Sequence, residues 1–497
     1  MEEKGGCGGR TYGLGTAPEK QAPSRLGMRR PNRCAQQIRR AANNTLSVFT
    51  AFQKLGLNKG CARIWIESPR LSQLGFEPGT FLNVRERSGD VLQLVPAPEN
   101  TRNRVSFREM SGLPCPIIDL NSRRLLSDFQ GHTEIKIRAS YKQLTVEPSV
   151  RSFHIRRHCS QGLPLASIEF FVGGGVLSSA IVRDPRFRLV AAVEISAKFA
   201  SHYVLEHPDV PLFQCDVRDL APSDLPPAAV MFASLPCTCF STVGVAKKGL
   251  KNISELGGDG DLFLSFAAHV AAHRPLAVVV ENVPGFFGPN ALAGRVLMAH
   301  LERLGYHVHC FQLNPWDEWA EPQDRKRGVM VATLFAPFYP SIPMQSFSGT
   351  AAEYLDPEDP DRDRIEAQRI QNAVAGRVAH MQRHREAGNG FGFTVIDRHS
   401  QKIPTLLRSY WKINCGPFVA CEGGVRLLRV SEMERLMGFE PHKGFTSRSY
   451  ATAVEILGQG VQVRIFTQLI HQLGDFLEYM LKTGRVPSPP VHRQFAD

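Results

Sequence analysis

Cys237 stands in Ser234-Leu235-Pro236-Cys237-Thr238-Cys239-Phe240-Ser241, directly after the apolar run Val230–Ala233. A thiol at a strand end beside a ligand pocket can act as a nucleophile, whereas the ordinary role of a cysteine is a small core residue. Cys239 lies two positions on and faces the same side of an extended segment, so geometry alone does not choose between the two thiols. The Pro-Cys step favours Cys237. Forty-four residues later, Val280-Glu281-Asn282-Val283-Pro284 sets a carboxyl group at the end of another apolar run. Then Glu321-Pro322-Gln323-Asp324-Arg325-Lys326-Arg327 offers two arginines two apart. On an extended segment Arg325 and Arg327 point to one side and could grip oxygen atoms, although a solvated basic turn would read the same way.

A second constellation lies upstream. Phe171-Val172-Gly173-Gly174-Gly175-Val176 follows the run beginning at Ile168, and glycines there allow a tight turn and close backbone approach to a ligand. Glu194 comes 21 residues after Gly173, at the end of the next run, where an acid can accept both hydroxyls of a ribose. Asp216 follows a third run and could accept from an adenine amino group. Singly these acids read as loop residues or helix caps. Together with the glycines they describe a nucleoside site at the carboxyl edge of a sheet.

The elements that must position these residues alternate. Strand-like runs at Ile168–Val172, Leu189–Glu194, Val230–Ala233, Ala277–Val280 and Val329–Thr333 are separated by segments long enough for crossover helices. This pattern marks an α/β sheet covered on both faces. Helical character is expected over 350–390, after an acidic, Pro-broken Asp356–Asp363, and again at Ser431–Met437 and Val461–Leu481.

Upstream, residues 61–98 and 103–148 read as a degenerate repeat of short alternating strands. Ala62–Ile66, Thr80–Arg85 and Leu92–Pro96 match Pro116–Leu120, Thr133–Arg138 and Leu144–Pro148. Leu-rich bridges (Leu71, Leu74, Phe76; Leu125, Leu126, Phe129) connect them. This strand, short helix and hairpin, twice over, resembles the swapped-hairpin barrel of AbrB-like and SymE-like proteins, implying either DNA binding or a docking role. Residues 1–50 hold nine Lys/Arg against three Asp/Glu and read as a disordered basic arm.

With 497 residues, 43% hydrophobic and 21% charged, the chain has room for two or three domains and ordinary globular composition. A formal charge of +12 suits a phosphate-bearing partner but is weak evidence alone. No apolar run approaches a membrane span, and no apolar signal segment opens the sequence. Eleven scattered cysteines show no paired metal spacing. A reducing cytosol, free thiols and no metal are therefore expected.

Taken in order, the segments after Ser167 resemble the DNA (cytosine-5)-methyltransferase family over roughly residues 165–475. Phe171–Gly175 resembles its glycine-rich motif, Glu194 and Asp216 its cofactor acids, and Leu262-Phe263 the motif whose Leu packs near the cofactor. Pro236-Cys237 resembles the nucleophile motif, Glu281-Asn282-Val283 its ENV, and Gln323–Arg327 its QxRxR. Arg426–Glu432 with Leu436–Phe439 resembles the block before the last motif, and Leu457–Val461 that last motif. Departures are Thr238 after the cysteine, Ala233-Ser234-Leu235 before it, Glu169 where Asp is common, and Gln459 for Asn.

The resemblance implies a Rossmann-like, S-adenosylmethionine-dependent methyltransferase sheet (α/β) with a small target recognition region and an N-terminal mostly-β domain. It implies catalytic roles for Cys237, Glu281, Arg325 and Arg327. It implies cofactor contacts from Phe171, Gly173, Gly175, Glu194, Ile195, Asp216, Val217, Pro236, Leu262, Gln459 and Val461. S-adenosylhomocysteine would be the product, Thr242–Gly249 a loop closing over a flipped base, and double-stranded DNA the substrate. The setting would be a cytoplasmic, nucleoid-associated bacterial or phage modification system with a cognate restriction endonuclease.

The expected organisation is a basic arm (1–55), a tandem β region (56–150) and the catalytic domain (165–335). A helical and target recognition region (336–425), with Arg398, His399 and Arg408 and with Tyr410 and Trp411 in the core, precedes a closing segment (426–482). An RNA cytosine-5 methyltransferase and a catalytically silent DNA-binding regulator are the rival readings.

Overall fold

The computed structural model describes residues 49–86, 91–98, 101–110, 112–236, 259–288, 291–386, 394–413, 416–441 and 443–483. The basic arm up to residue 48, Cys237, Thr238, Cys239 and the loop Thr242–Gly249 lie outside them.

The N-terminal region is built on two sheets. Its strands are β1 (Phe49–Lys54), β2 (Gly56–Asn58), β3 (Cys61–Glu67), β4 (Phe81–Glu86), β5 (Leu92–Ala97), β6 (Asn103–Arg104), β7 (Ser106–Met110), β8 (Leu113–Leu120), β9 (Glu134–Ser140) and β10 (Gln143–Pro148). One sheet has the order β1-β9-β10-β5-β4-β6 and the other β2-β3-β8-β7. Equivalent strands of the repeat pair antiparallel with each other: Ile64 faces Leu120 and Ile66 faces Ile118, while Leu94 faces Leu144 and Leu92 faces Val146. Such reciprocal pairing is what a two-fold relation between the copies requires. The bridges supply the core, with Leu71, Phe76, Leu126 and Phe129 buried beside the strand residues. Phe49–Lys54, assigned to the arm by its composition, is instead a strand paired along its length with β9.

The second region is one seven-stranded sheet. Its strands are β11 (Leu165–Phe170), β12 (Phe187–Glu194), β13 (Leu212–Gln214), β14 (Val230–Ser234), β15 (Ala277–Asn282), β16 (His307–Leu313) and, after the short β17 (Gln323–Asp324), β18 (Arg327–Thr333). The order is β13-β12-β11-β14-β15-β18-β16, with β18 antiparallel to both neighbours and the pairings from β13 to β15 parallel. The strands are almost wholly apolar because apolar layers cover both faces. Phe232, Val279 and Val331 face one layer, and Met231, Val278 and Met330 the other. The edge strand β16 was not separable in the sequence, since partly buried His and Cys interrupt its apolar pattern.

The order reverses between β11 and β14, so a crevice opens at their carboxyl ends. The chain beyond β18 adds the helix Pro360–Glu386, β19 (Val395–Ile396), β20 (Ile403–Pro404), β21 (Phe418–Cys421) and β22 (Gly424–Arg426). It then returns through the helices Val430–Leu436, Tyr450–Gln459 and Val463–Thr483, the last packing on Val176–Ile181 behind the glycine turn.

Candidate active site

A cleft of about 1300 Å³ runs along the carboxyl edge of the sheet, from the ends of β11–β13 to the ends of β14 and β15. Phe171, Gly173, Glu194, Ile195, Asp216 and Val217 line one part of it. Pro236, Leu262, Glu281, Arg327, Gln459 and Val461 also line it. Gly175 lies just beneath as the N-cap of Val176–Ile181.

The glycine turn is dictated by crowding. Phe171 (φ 60°), Gly173 (φ 54°) and Gly175 (φ 85°) all adopt left-handed backbone, which turns the chain sharply out of β11. A Cβ on Gly173 would lie 2.7 Å from Nε2 of Gln459, so the last motif rests directly on the first. Glu194 is buried; one carboxylate oxygen accepts from the Gly173 N–H (2.8 Å) and the other from the Ser196 N–H (2.7 Å). The acid thereby locks the turn and keeps lone pairs toward the cleft. Ile195 is 63% exposed, an apolar face on the cleft wall suited to a planar base. Asp216 is gripped by Arg218 through its backbone N–H and guanidinium, which hold its carboxyl below the usual range.

At the other end Glu281 is 5% exposed and pairs with Arg327, Nε to Oε1 2.9 Å. Burial raises its pKa, and the charges of Arg327 and Arg325 oppose that shift. Asn282 ties the two central strand ends together: its Nδ2 donates to the Leu235 carbonyl (3.2 Å), and its Oδ1 accepts from the Val283 N–H. The segment that leads into Cys237 is therefore fixed as far as Pro236, on the cleft wall.

Two expectations need correction. Arg325 does not reach the cleft. Its side chain is fully buried, and its guanidinium donates to the carbonyls of Leu406 (2.8 Å), Gly458 (2.9 Å) and Gly460. The two-residue period fails because Arg325 and Lys326 bridge β17 and β18, which belong to different sheets. Lys326 and Arg327 line the cleft instead. Of the two aromatics expected in the core, Tyr410 is there, its hydroxyl donating to the Pro417 carbonyl (2.6 Å) and accepting from the Leu428 N–H. Trp411 is half-buried: one side packs against the same core, and it also lines the cleft wall with Thr405, Arg408 and Lys412. Their sequence carries no spacing that would mark them, since they come from a loop and the single 3-10 turn Tyr410–Lys412 that ends it. Arg398 donates to the Asp356 carbonyl and does not line the cleft.

A Gly-turn over a parallel sheet, two strand-end acids and an apolar platform fit an adenosyl group, and the antiparallel β18 completes the arrangement. These features define an S-adenosylmethionine-dependent methyltransferase. Residues 165–475 match the C-5 cytosine-specific DNA methylase family, and the chain belongs to it. Over 275 residues it is 27% identical to the Type II methyltransferase M.DsaV of Dactylococcopsis salina, covering 53% of this chain and 73% of that protein. It is 29% identical over 211 residues to the DNA-cytosine methyltransferase of Escherichia coli strain K12, covering 38% and 43%. The fold matches that of the Entamoeba histolytica methyltransferase EhMeth with a TM-score of 0.50 at 18% identity, over 63% of this chain and 99% of that one. Among the described residues, no helix is long and apolar enough to cross a membrane, and no cluster of three or more His, Cys, Asp or Glu is gathered as for a metal ion.

Proposed function

We propose that the chain methylates C5 of cytosine in double-stranded DNA, with Cys237 as nucleophile, Glu281 and Arg327 holding the base, and the Gly173–Glu194–Asp216 end holding the cofactor. The observation that carries this reading is the buried Glu281–Arg327 pair at one end of a cleft whose other end is a nucleoside cradle. C5 of cytosine is a poor nucleophile. Addition of the Cys237 thiolate to C6 forms a C–S bond and makes C5 enamine-like. S-adenosylmethionine, when bound, supplies an electrophilic methyl group for that carbon. Loss of the C5 proton and cleavage of the C–S bond then restore the aromatic base and the thiolate. Glu281, its pKa raised by burial, is suited to share a proton with N3 as charge develops there. Arg327 keeps Glu281 oriented through Nε, donates from Nη1 to the Lys326 carbonyl, and has Nη2 to offer to the base carbonyl. A base inside a duplex cannot reach this depth, so the cytosine must be flipped out.

The Type II names of the relatives support a restriction-modification setting, in which a cognate endonuclease would be the partner; a DNA substrate would place the chain at the nucleoid. The pairing of equivalent strands in the N-terminal region supports an AbrB/SymE-like barrel folded from one chain. Transfer of labelled methyl groups to duplex DNA and to tRNA tests the substrate. Label in duplex DNA and a stable adduct on 5-fluorocytosine DNA are expected, the adduct disappearing in Cys237→Ser and persisting in Cys239→Ser. Label in tRNA alone would favour the RNA branch. Absence of both label and adduct would favour a silent DNA-binding protein.

A further inference from the structure

The guanidinium of Arg325 joins three chain segments that also pack on one another, with β17 paired to β20 and Gly458 set against the Leu407 backbone. It sits in the link between β17 and β18, and Arg327, two residues on, holds Glu281. Its Nη1 donates to Leu406, at the head of the Leu407–Lys412 wall, and its Nη2 donates to Gly458 and Gly460, on either side of Gln459. The last two carbonyls lie at the carboxyl end of the helix Tyr450–Gln459, where a cation is favoured by the helix dipole. Gln459 in turn rests on Gly173. An unbroken chain of contacts therefore runs from the glycine turn through Gln459 and Arg325 to Arg327 and Glu281. The charge of Arg325 bears on these carbonyls and, more distantly, on Glu281.

We infer that Arg325 is a positioning residue that couples the two ends of the cleft, so that occupancy of the cofactor cradle is felt as tighter holding of the target cytosine. The coupling is a free energy between two sites, and it is reciprocal. Geometry assigns this to Arg325 because one planar fork spans three carbonyls, which a lysine ammonium or a neutral side chain would not reproduce.

The inference rests on the function proposed above, and its test separates the two. The affinity of the full chain for a cytosine-containing duplex is measured with and without S-adenosylhomocysteine, in wild type, Arg325→Lys and Arg325→Met. KM and kcat are measured per active site, counted by trapping on 5-fluorocytosine DNA. Wild type should bind the duplex several-fold more tightly with S-adenosylhomocysteine present. In Arg325→Lys that factor should fall toward one while each ligand alone still binds. KM for S-adenosylmethionine should rise about ten-fold, the scale of a lost charged hydrogen bond. Gly458→Ala attacks the same junction without touching the charge, because its Cβ would lie 2.6 Å from the Leu407 backbone, and it should reproduce the split if Arg325→Met does not fold. Variants with a lower melting temperature but the wild-type coupling factor and KM per trapped site would make Arg325 a purely structural anchor. A wild-type factor of one would also overturn the inference. Failure of wild type to trap would instead overturn the proposed function.

Discussion

Glu169 shows how a side chain noted in the sequence only as a departure from a family pattern takes its role from its surroundings. It stands where the family resemblance expects an aspartate, yet it is fully buried beneath the glycine turn, accepting from the Ser178 hydroxyl. Burial pushes its pKa up to about 8. The folded protein therefore binds a proton there that the unfolded chain releases above about pH 4.5, the ordinary glutamate range. Stability from this residue is complete below that range and falls as pH rises toward 8, by roughly 1.4 kcal/mol per unit. Glu169→Gln should flatten the fall: its melting temperature should decline less than that of wild type between pH 5 and pH 9, and equal slopes would refute the assignment. Glu194 is the contrasting case, an acid whose type and spacing did declare its place. Glu194→Ala removes acceptors for two backbone N–H groups as well as for a ribose. It should weaken S-adenosylmethionine binding by roughly 1.5–3 kcal/mol in calorimetry of a folded variant. Arg325 was misread because spacing reports the direction of a side chain only within one regular element, and this arginine lies between two.

At the scale of elements, the strands of the sheet were legible because burial on both faces leaves uninterrupted apolar runs. Their ends shifted where a non-periodic feature intervened, as at Phe171, whose positive φ ends β11 before the apolar run ends. What no periodicity shows is how the helix Pro360–Glu386 is held. Its first turns present Asp363 and Glu366 to Arg429, while Arg426 pairs with both Asp363 and Glu432. Arg426, Arg429, Asp363 and Glu432 are all buried. The Arg426–Glu432 block resembles a family motif, and in the structure it fastens this helix to the closing segment. Removing one partner of a buried network leaves uncompensated charge, which typically costs about 3–5 kcal/mol. Glu432→Ala should therefore lower unfolding free energy in urea by about that amount. A loss below about 1 kcal/mol would mean the network relaxes into solvent.

On the scale of the whole molecule, the N-terminal region sits at the edge of the sheet opposite the cleft. Phe52 of β1 stacks under the Arg274 guanidinium (4.7 Å), just before β15 begins. Gly305 before β16 and Leu334 after the antiparallel β18 line the same small junction with Glu134, Ser149 and Arg151. The helix Val150–Gln161 continues this contact, with Arg151 over Phe335 (5.1 Å) and with the helix packed on Val463–Thr483. Of the two roles expected for the tandem region, DNA binding or docking, the opposite placement argues against its meeting the DNA that enters the cleft. Each phosphate contact contributes about 0.9 to the slope of log affinity against log salt. Chains beginning at residue 49 and at Ser149 should therefore bind a cytosine-containing duplex with the same slope, although both lack the basic arm. The chain from Ser149 should still transfer methyl groups, at a lower melting temperature because Arg274 loses its contact with Phe52. A chain beginning at Gly162 also loses the helix that carries the buried His154, and it should be markedly less stable than the Ser149 chain. A slope shallower by about 0.9 or more in the Ser149 chain than in the chain from residue 49 would show that the tandem region reaches DNA after all.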